Sequence, residues 1–219
     1  MADFVIIGVG YDEEVDEVVL GRDGLFSTLA AGSVVAVCST VAPSTVKAIE
    51  RAAGAKGIAV LDAPICRGRF AADAGTLLAL LGGPEAVVER ARPVFSCFCS
   101  DIAHLGEVGH GQVGKAMNNF LLWANSVALI EAGRLAASTG IDLPRLREAL
   151  LISSGSSAAL QDWDTITFTW ALKDMQIVAA MADEAGLSLP IAGSIRELVK
   201  QARRTKAEKP PPWTAPPRA

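Results

Sequence analysis

Short apolar runs alternate with amphipathic stretches through the first half of the chain, the pattern of strands joined by helices. Phe4 to Val9, Ser33 to Val37, Ile58 to Leu61, Thr76 to Leu81 and Ile102 to Leu105 read as strands. Glu13 to Leu20, Pro43 to Ala53 and Pro84 to Phe95 read as the helices between them. Pro43 and Pro84 suit a first helical turn, where an amide nitrogen has no intrahelical acceptor to lose. From Gly109 onward the period changes. Val113, Ala116, Met117, Phe120, Leu121, Ala124, Val127, Ala128 and Leu135 recur at helical spacing along Gln112 to Ser138, too long a stretch for a strand. After a stop at Gly140, Pro144 to Leu151 forms another helix, and Ser153 to Ser157 breaks the chain again. Trp170 to Ala185 and Ile191 to Arg204 complete an all-helical half. The prediction is an α/β domain over residues 1–107, an all-α domain with a long central helix over 108–209, and a Pro-rich tail over 210–219.

Composition narrows this picture. Hydrophobic residues make up 51% of the 219, yet runs such as Leu77 to Leu81 fall well short of the roughly 18 residues that cross a bilayer, so no membrane span is expected. The opening Met1-Ala2-Asp3-Phe4 lacks the basic region of a secretory signal, which makes the cytoplasm the default location. Cys38, Cys66, Cys97 and Cys99 have no zinc-type spacing, so no metal is expected. A net charge of −4 argues against nucleic acid as a partner of the body of the protein. Lys200, Arg203, Arg204, Lys206 and Lys209 make a basic stretch before Pro210-Pro211-Pro212-Trp213 and Pro216-Pro217. That stretch reads as a helix end followed by a stiff, solvated terminus.

Candidate chemistry lies in three places. Gly8-Val9-Gly10 follows a strand and precedes a helix, as a dinucleotide-binding turn does. The third glycine position is Glu13, however, and Glu14, Asp16 and Glu17 crowd the helix start, where carboxylates satisfy the helix dipole and repel phosphate. Lys115 and Asn119 are four residues apart, so on a helix they share a face. An ammonium near a helix start meets positive potential, which suits a group that exchanges a proton. Asn119 can hold an oxygen or the lysine in place. Cys66, Arg67 and Gly68 lie just past a strand end, where α/β folds gather ligand-binding groups. His104 and His110 flank the domain junction without an identifiable acid partner and read as structural or solvated.

These segments fall in the order of a known family. The stretch from Ala2 to Leu25 resembles the fourth strand and following helix of the β-hydroxyacid dehydrogenases. Cys38-Ser39-Thr40-Val41-Ala42-Pro43 is similar to their strand-end turn, and Asp62-Ala63-Pro64-Ile65-Cys66-Arg67-Gly68 with Ala74-Gly75-Thr76-Leu77 to their substrate segment. Gly111-Gln112-Val113-Gly114-Lys115-Ala116-Met117-Asn118-Asn119 resembles their catalytic helix, and Trp170-Ala171-Leu172-Lys173-Asp174 a late motif. The resemblance implies the C-terminal part of a doubly wound domain followed by a helical domain. It further implies an oxidoreductase that moves hydride between NAD or NADP and a small hydroxy acid, assembled as a dimer or tetramer. Lys115 and Asn119 would be catalytic, Cys66, Arg67 and Gly68 substrate-binding, and Thr40 and Lys173 cofactor contacts.

The chain also departs from the family. Cys66 stands where a serine is usual, and Arg67 where a glycine is usual; the guanidinium can grip a carboxylate bidentately or point to solvent. Lys173 can equally pair with Asp174 or Glu184. A complete member begins with a strand, a glycine-rich turn, a helix and a ribose-reading residue, all expected ahead of the segment that opens here. Without them Phe4 to Val9 becomes an apolar sheet edge, and activity of this chain by itself is in question. Two other readings stand beside the dehydrogenase: a non-catalytic binding or dimerisation module, and an imine reductase, a group that generally lacks the lysine found at 115.

Overall fold

The computed structural model describes residues 2–214, which divide after Ala116 into two compact units. The first is a layered α/β unit. Strands β1 (Phe4–Ile7), β2 (Val34–Val37) and β3 (Ala59–Asp62) run parallel in register, Phe4 beside Val34 and Val34 beside Ala59. Strands β4 (Ile65–Cys66), β5 (Leu77–Gly82) and β6 (Cys99–Gly106) continue the sheet, β5 joining β3 and β4 antiparallel and β6 parallel. Among the described residues β1 is an edge of the sheet.

Central β2 explains the layering. Val35 and Val37 point into a core with Val15, Val46 and Ile49. Val34 and Ala36 point into another with Leu61, Val88 and Phe95. All four positions are buried, so the strand reads as an unbroken apolar run with helices on both faces. Those helices are α1 (Asp12–Leu20), α2 (Leu25–Thr28), α3 (Pro43–Gly54), α4 (Gly68–Ala74) and α5 (Glu85–Phe95). Pro43 sits in the first turn of α3, while Pro84 is the residue before α5.

Helix α6 (His110–Ser138) begins in the first unit. The division falls at Ala116, later than Glu107, because the first turns of α6 are bonded into the sheet layer. Among the described residues α6 is the one helix long and apolar enough to cross a membrane by length and composition, despite the expectation of no such segment. Some of its apolar positions are packed inside the protein, Trp123, Val127 and Ile130 among them, while Leu121 and Leu135 are exposed.

The second unit adds α7 (Leu143–Leu151), α8 (Ala158–Gln161), a 3-10 turn (Trp163–Thr165), α9 (Ala171–Glu184) and α10 (Pro190–Glu208). Trp123 and Phe168 stack at 5.4 Å between ring centroids within its core. The expected solvated tail is corrected in its first part. Pro211 and Trp213 are buried, and Trp213 Nε1 donates to the Leu129 carbonyl at 3.1 Å. Gly133 makes this possible, since a Cβ there would press into the Pro211 ring. Pro216 and Pro217 lie outside the described residues.

Candidate active site

The site in the first unit is built around a buried carboxylate. Asp62 ends β3 with 0% exposure, and its two oxygens accept the amides of Gly109 and Gln112, each at 2.7 Å. These amides belong to the start of α6, where unpaired donors and positive potential favour an anion. Burial pushes the Asp62 carboxyl above its ordinary range, and the backbone hydrogen bonds oppose that shift. Gly111 is required here because a Cβ would meet the Leu80 carbonyl oxygen and the Asp62 carboxylate.

Lys115 follows one turn later, half-buried. Its Nζ donates to the Ile65 carbonyl at 2.7 Å and lies 3.8 Å from Cys66 Sγ. The sequence-predicted amine is therefore brought to β4, directly before the turn at Arg67 and Gly68. That turn is left-handed at both residues, with φ of 85° and 70°. Position 67 has the backbone that glycine takes readily and an L side chain rarely adopts, which accounts for the glycine that the family resemblance expects there.

The side chain of Arg67 goes elsewhere. Its Nη1 donates to Asp101 Oδ2 at 2.6 Å, to Ser100 Oγ at 3.0 Å and to the Thr76 carbonyl at 3.1 Å. Of the two readings left open for the guanidinium, substrate or solvent, neither describes its pairing here: Asp101 holds it, and the Arg67 guanidinium in turn holds the Asp101 carboxyl below its usual range. What Arg67 brings to the turn is backbone.

Thr40 is half-buried just past the end of β2. The residues beside it are pinned by Gln112, which is 1% exposed. Gln112 Nε2 donates to the Ser39 carbonyl at 2.8 Å, and its Oε1 accepts the Val41 amide at 3.2 Å. Ser39 Oγ accepts the Val9 amide at 2.8 Å. Sequence reasoning assigned no role to Asp62 or Gln112. The available signal was an acidic residue ending the apolar Ala59-Val60-Leu61 run, since a carboxylate buried there demands donors.

The Gly8-Val9-Gly10 turn behaves as its acidic neighbours suggest. Glu14 Oε2 accepts the Gly10 amide at 2.7 Å and the Tyr11 amide at 3.0 Å. His104 does have an acid partner: Nδ1 is 2.9 Å from Glu85 Oε2, while Nε2 lies 2.8 Å from the Gly83 carbonyl and 3.0 Å from that of Gly106. Burial opposes its charge, but these acceptors outweigh it and raise the imidazole above its ordinary value. The adjoining cleft of about 640 Å³, lined by Lys47, Arg51, Glu85, His104 and Glu107, includes neither Lys115 nor Cys66.

In the second unit, Asn119 is 5% exposed and its Oδ1 accepts Asn118 Nδ2 at 3.0 Å. Lys173 is half-buried on α9, its ammonium 5.9 Å from the centroid of the Trp170 ring. The neighbouring Asp174 accepts Trp123 Nε1 at 2.8 Å and ties α9 to α6 within this unit.

Comparison with known proteins matches both halves. Residues 1–123 fit the NAD binding domain of 6-phosphogluconate dehydrogenase, and residues 109–210 the NAD-binding domain of NADP-dependent 3-hydroxyisobutyrate dehydrogenase. An NAD-dependent L-serine dehydrogenase of Pseudomonas aeruginosa is 39% identical over 160 residues, covering 73% of this chain and 54% of that protein. A 3-hydroxyisobutyrate dehydrogenase of the same organism is 40% identical over 159 residues, covering 73% and 53%. The chain thus spans about half the length of these curated relatives. In fold it is similar to a solved Mycobacterium tuberculosis 3-hydroxyisobutyrate dehydrogenase with L-serine, at a TM-score of 0.82 and 24% identity over 94% of this chain and 75% of that one.

Proposed function

The chain belongs to the β-hydroxyacid dehydrogenase family, and on that premise we propose that it serves the NAD- or NADP-dependent interconversion of a small hydroxy acid and its carbonyl form, with Lys115 as the proton-transfer group. The observation that carries this reading is the Lys115 ammonium 2.7 Å from the Ile65 carbonyl, beside Cys66 and the left-handed turn. A lysine so held has a fixed position and still has protons to give.

The nicotinamide, when bound, supplies or accepts the hydride. As hydride reaches the carbonyl carbon, its oxygen gains negative charge, and Lys115 Nζ donates the proton that completes the hydroxyl; in the reverse direction it accepts that proton. Asn119, further along the same helix, is assigned a role in holding that oxygen on family resemblance. Cys66 and the backbone of Arg67 and Gly68 receive the substrate carboxylate. The two relatives' names, for L-serine and 3-hydroxyisobutyrate, support a small hydroxy acid as the substrate class. The half-buried Thr40 at the end of β2 fits a contact to the nicotinamide ribose, and Lys173 is assigned to the cofactor on family resemblance. The start of α1 does not fit a phosphate, because Glu14 already occupies its amides. Four free thiols are consistent with a reducing cytoplasm. Exposed Leu121, Leu135, Leu187 and Ile191 support assembly with further copies as a dimer or tetramer.

A second reading, a non-catalytic module, is favoured by that same Glu14 closure. Incubation of the purified chain with NAD or NADP and a panel of three- and four-carbon hydroxy acids distinguishes the two. The dehydrogenase reading expects reduced nicotinamide to accumulate with at least one acid. Absence of turnover, together with no thermal shift by either nucleotide, contradicts it.

A further inference from the structure

We propose that Gln112 is a positioning residue that sets the loop around Thr40 against the lysine that moves the proton. This rests on the functional reading above and adds to it how two strand ends are kept in register. The carboxamide of Gln112 grips both neighbours of Thr40, donating to the Ser39 carbonyl and accepting from the Val41 amide. Its own backbone amide donates to Asp62 at the end of β3. Three residues on, Lys115 donates to Ile65. One turn of α6 therefore fastens the segment after β2 and the segment after β3, and these strands are neighbours in the parallel part of the sheet. The Gln112 side chain is buried and uncharged, so its own grip on Ser39 and Val41 does not titrate. It acts through Thr40 and Lys115; its own side-chain hydrogen bonds go to backbone.

The chemistry of the clamp suggests its test. Gln112→Leu fills similar space but leaves the Ser39 carbonyl and the Val41 amide without partners. Gln112→Glu preserves shape: a neutral carboxyl donates its O–H to Ser39 and accepts from Val41, whereas an ionised one sets a negative oxygen against the Ser39 carbonyl. The prediction is that Gln112→Leu lowers kcat by about 10–100-fold, the scale of a small misplacement of reacting groups, with hydroxy-acid KM little changed. Gln112→Glu should retain turnover at acid pH and lose it relative to wild type as pH rises from about 5 to about 9 through the titration of a buried carboxyl. A ratio of variant to wild-type kcat that stays flat with pH overturns the proposal, as does wild-type kcat in both variants. If Gln112→Leu fails to fold, the Gln112→Glu profile decides. If the wild-type chain shows no turnover, the functional reading fails and the clamp is judged by NMR on Gln112→Glu. Rising pH should then speed hydrogen exchange at the Val41 amide beyond its rate in wild type at the same pH, and shift Thr40 and the Lys115 ε-methylene signals together. Unmoved Thr40 and Lys115 signals overturn it.

Discussion

Helices α1 and α6 both begin at a Gly-x-Gly stretch, Gly8-Val9-Gly10 in one and Gly109-His110-Gly111 in the other, and both have carboxylate oxygens on backbone amides at that start. In α1 the carboxylate is Glu14, from the helix's own first turn, and it is exposed. In α6 it is Asp62, from the end of a strand 47 residues earlier than Gly109, and it is fully buried. A local, solvated carboxylate completes the helix and closes the place where an anion would bind. A distant, buried one fixes the helix to the sheet, and so determines where Lys115 meets β4. The same electrostatic preference of helix starts thus yields a self-contained cap in one case and a positioning device in the other.

The sharpest way to break this comparison is Asp62→Ala. It leaves two buried amides unpaired, at about 1–3 kcal/mol for each, so urea unfolding of the first unit should shift to markedly lower midpoint. An unchanged midpoint would mean that the α6 anchor lies elsewhere. Glu14→Ala, by contrast, exposes its amides to water and should cost only about 0.3–1 kcal/mol, read in the same titration; a loss as large as that of Asp62→Ala would erase the distinction. The smallest effect is expected at Arg67→Gly. Arg67 lowers the Asp101 carboxyl in the folded state, so this pair stabilises above the ordinary carboxylate value of about 3.9 and loses its contribution as pH falls through the lowered value. Both partners are exposed, and glycine accepts the left-handed backbone at 67. Melting temperature near neutrality should therefore barely move, while the acid limb becomes shallower than in wild type. A large neutral-pH loss would show that the guanidinium network holds the turn.

Periodicity carried most of the fold. The strands β1, β2, β3 and β5 and the helices α1, α3, α5, α6, α7, α9 and α10 all lie where apolar spacing puts them, within a few residues. What escaped was short or depended on distant partners. β4 has two residues, and α2 and α8 have four each, too few for a period to register. β6 starts at Cys99 by pairing with β5, earlier than its apolar run, and the polar Ser100 and Asp101 hid that start. The burial of Trp213 depends on the missing side chain of Gly133, a tertiary relation with no local signature. That Lys115 and Asn119 lie four residues apart on one helix was legible from helical geometry, and the turn at Gly68 from its place after a strand. The roles of Asp62 and Gln112 were not, since each acts on backbone groups many residues away. The partner of the Arg67 side chain was not legible either, because the acid that captures it, Asp101, arrives from another strand.

The proposed chemistry requires the amine at 115 to handle a proton rather than hold substrate. Steady-state turnover of Lys115→Ala, measured against wild type with and without an added primary amine, tests this most directly. The account predicts a kcat lower by about 10²–10⁴-fold, hydroxy-acid KM little changed, and partial recovery as the amine is added. Undiminished kcat, or a loss confined to KM with no recovery by amine, would contradict it.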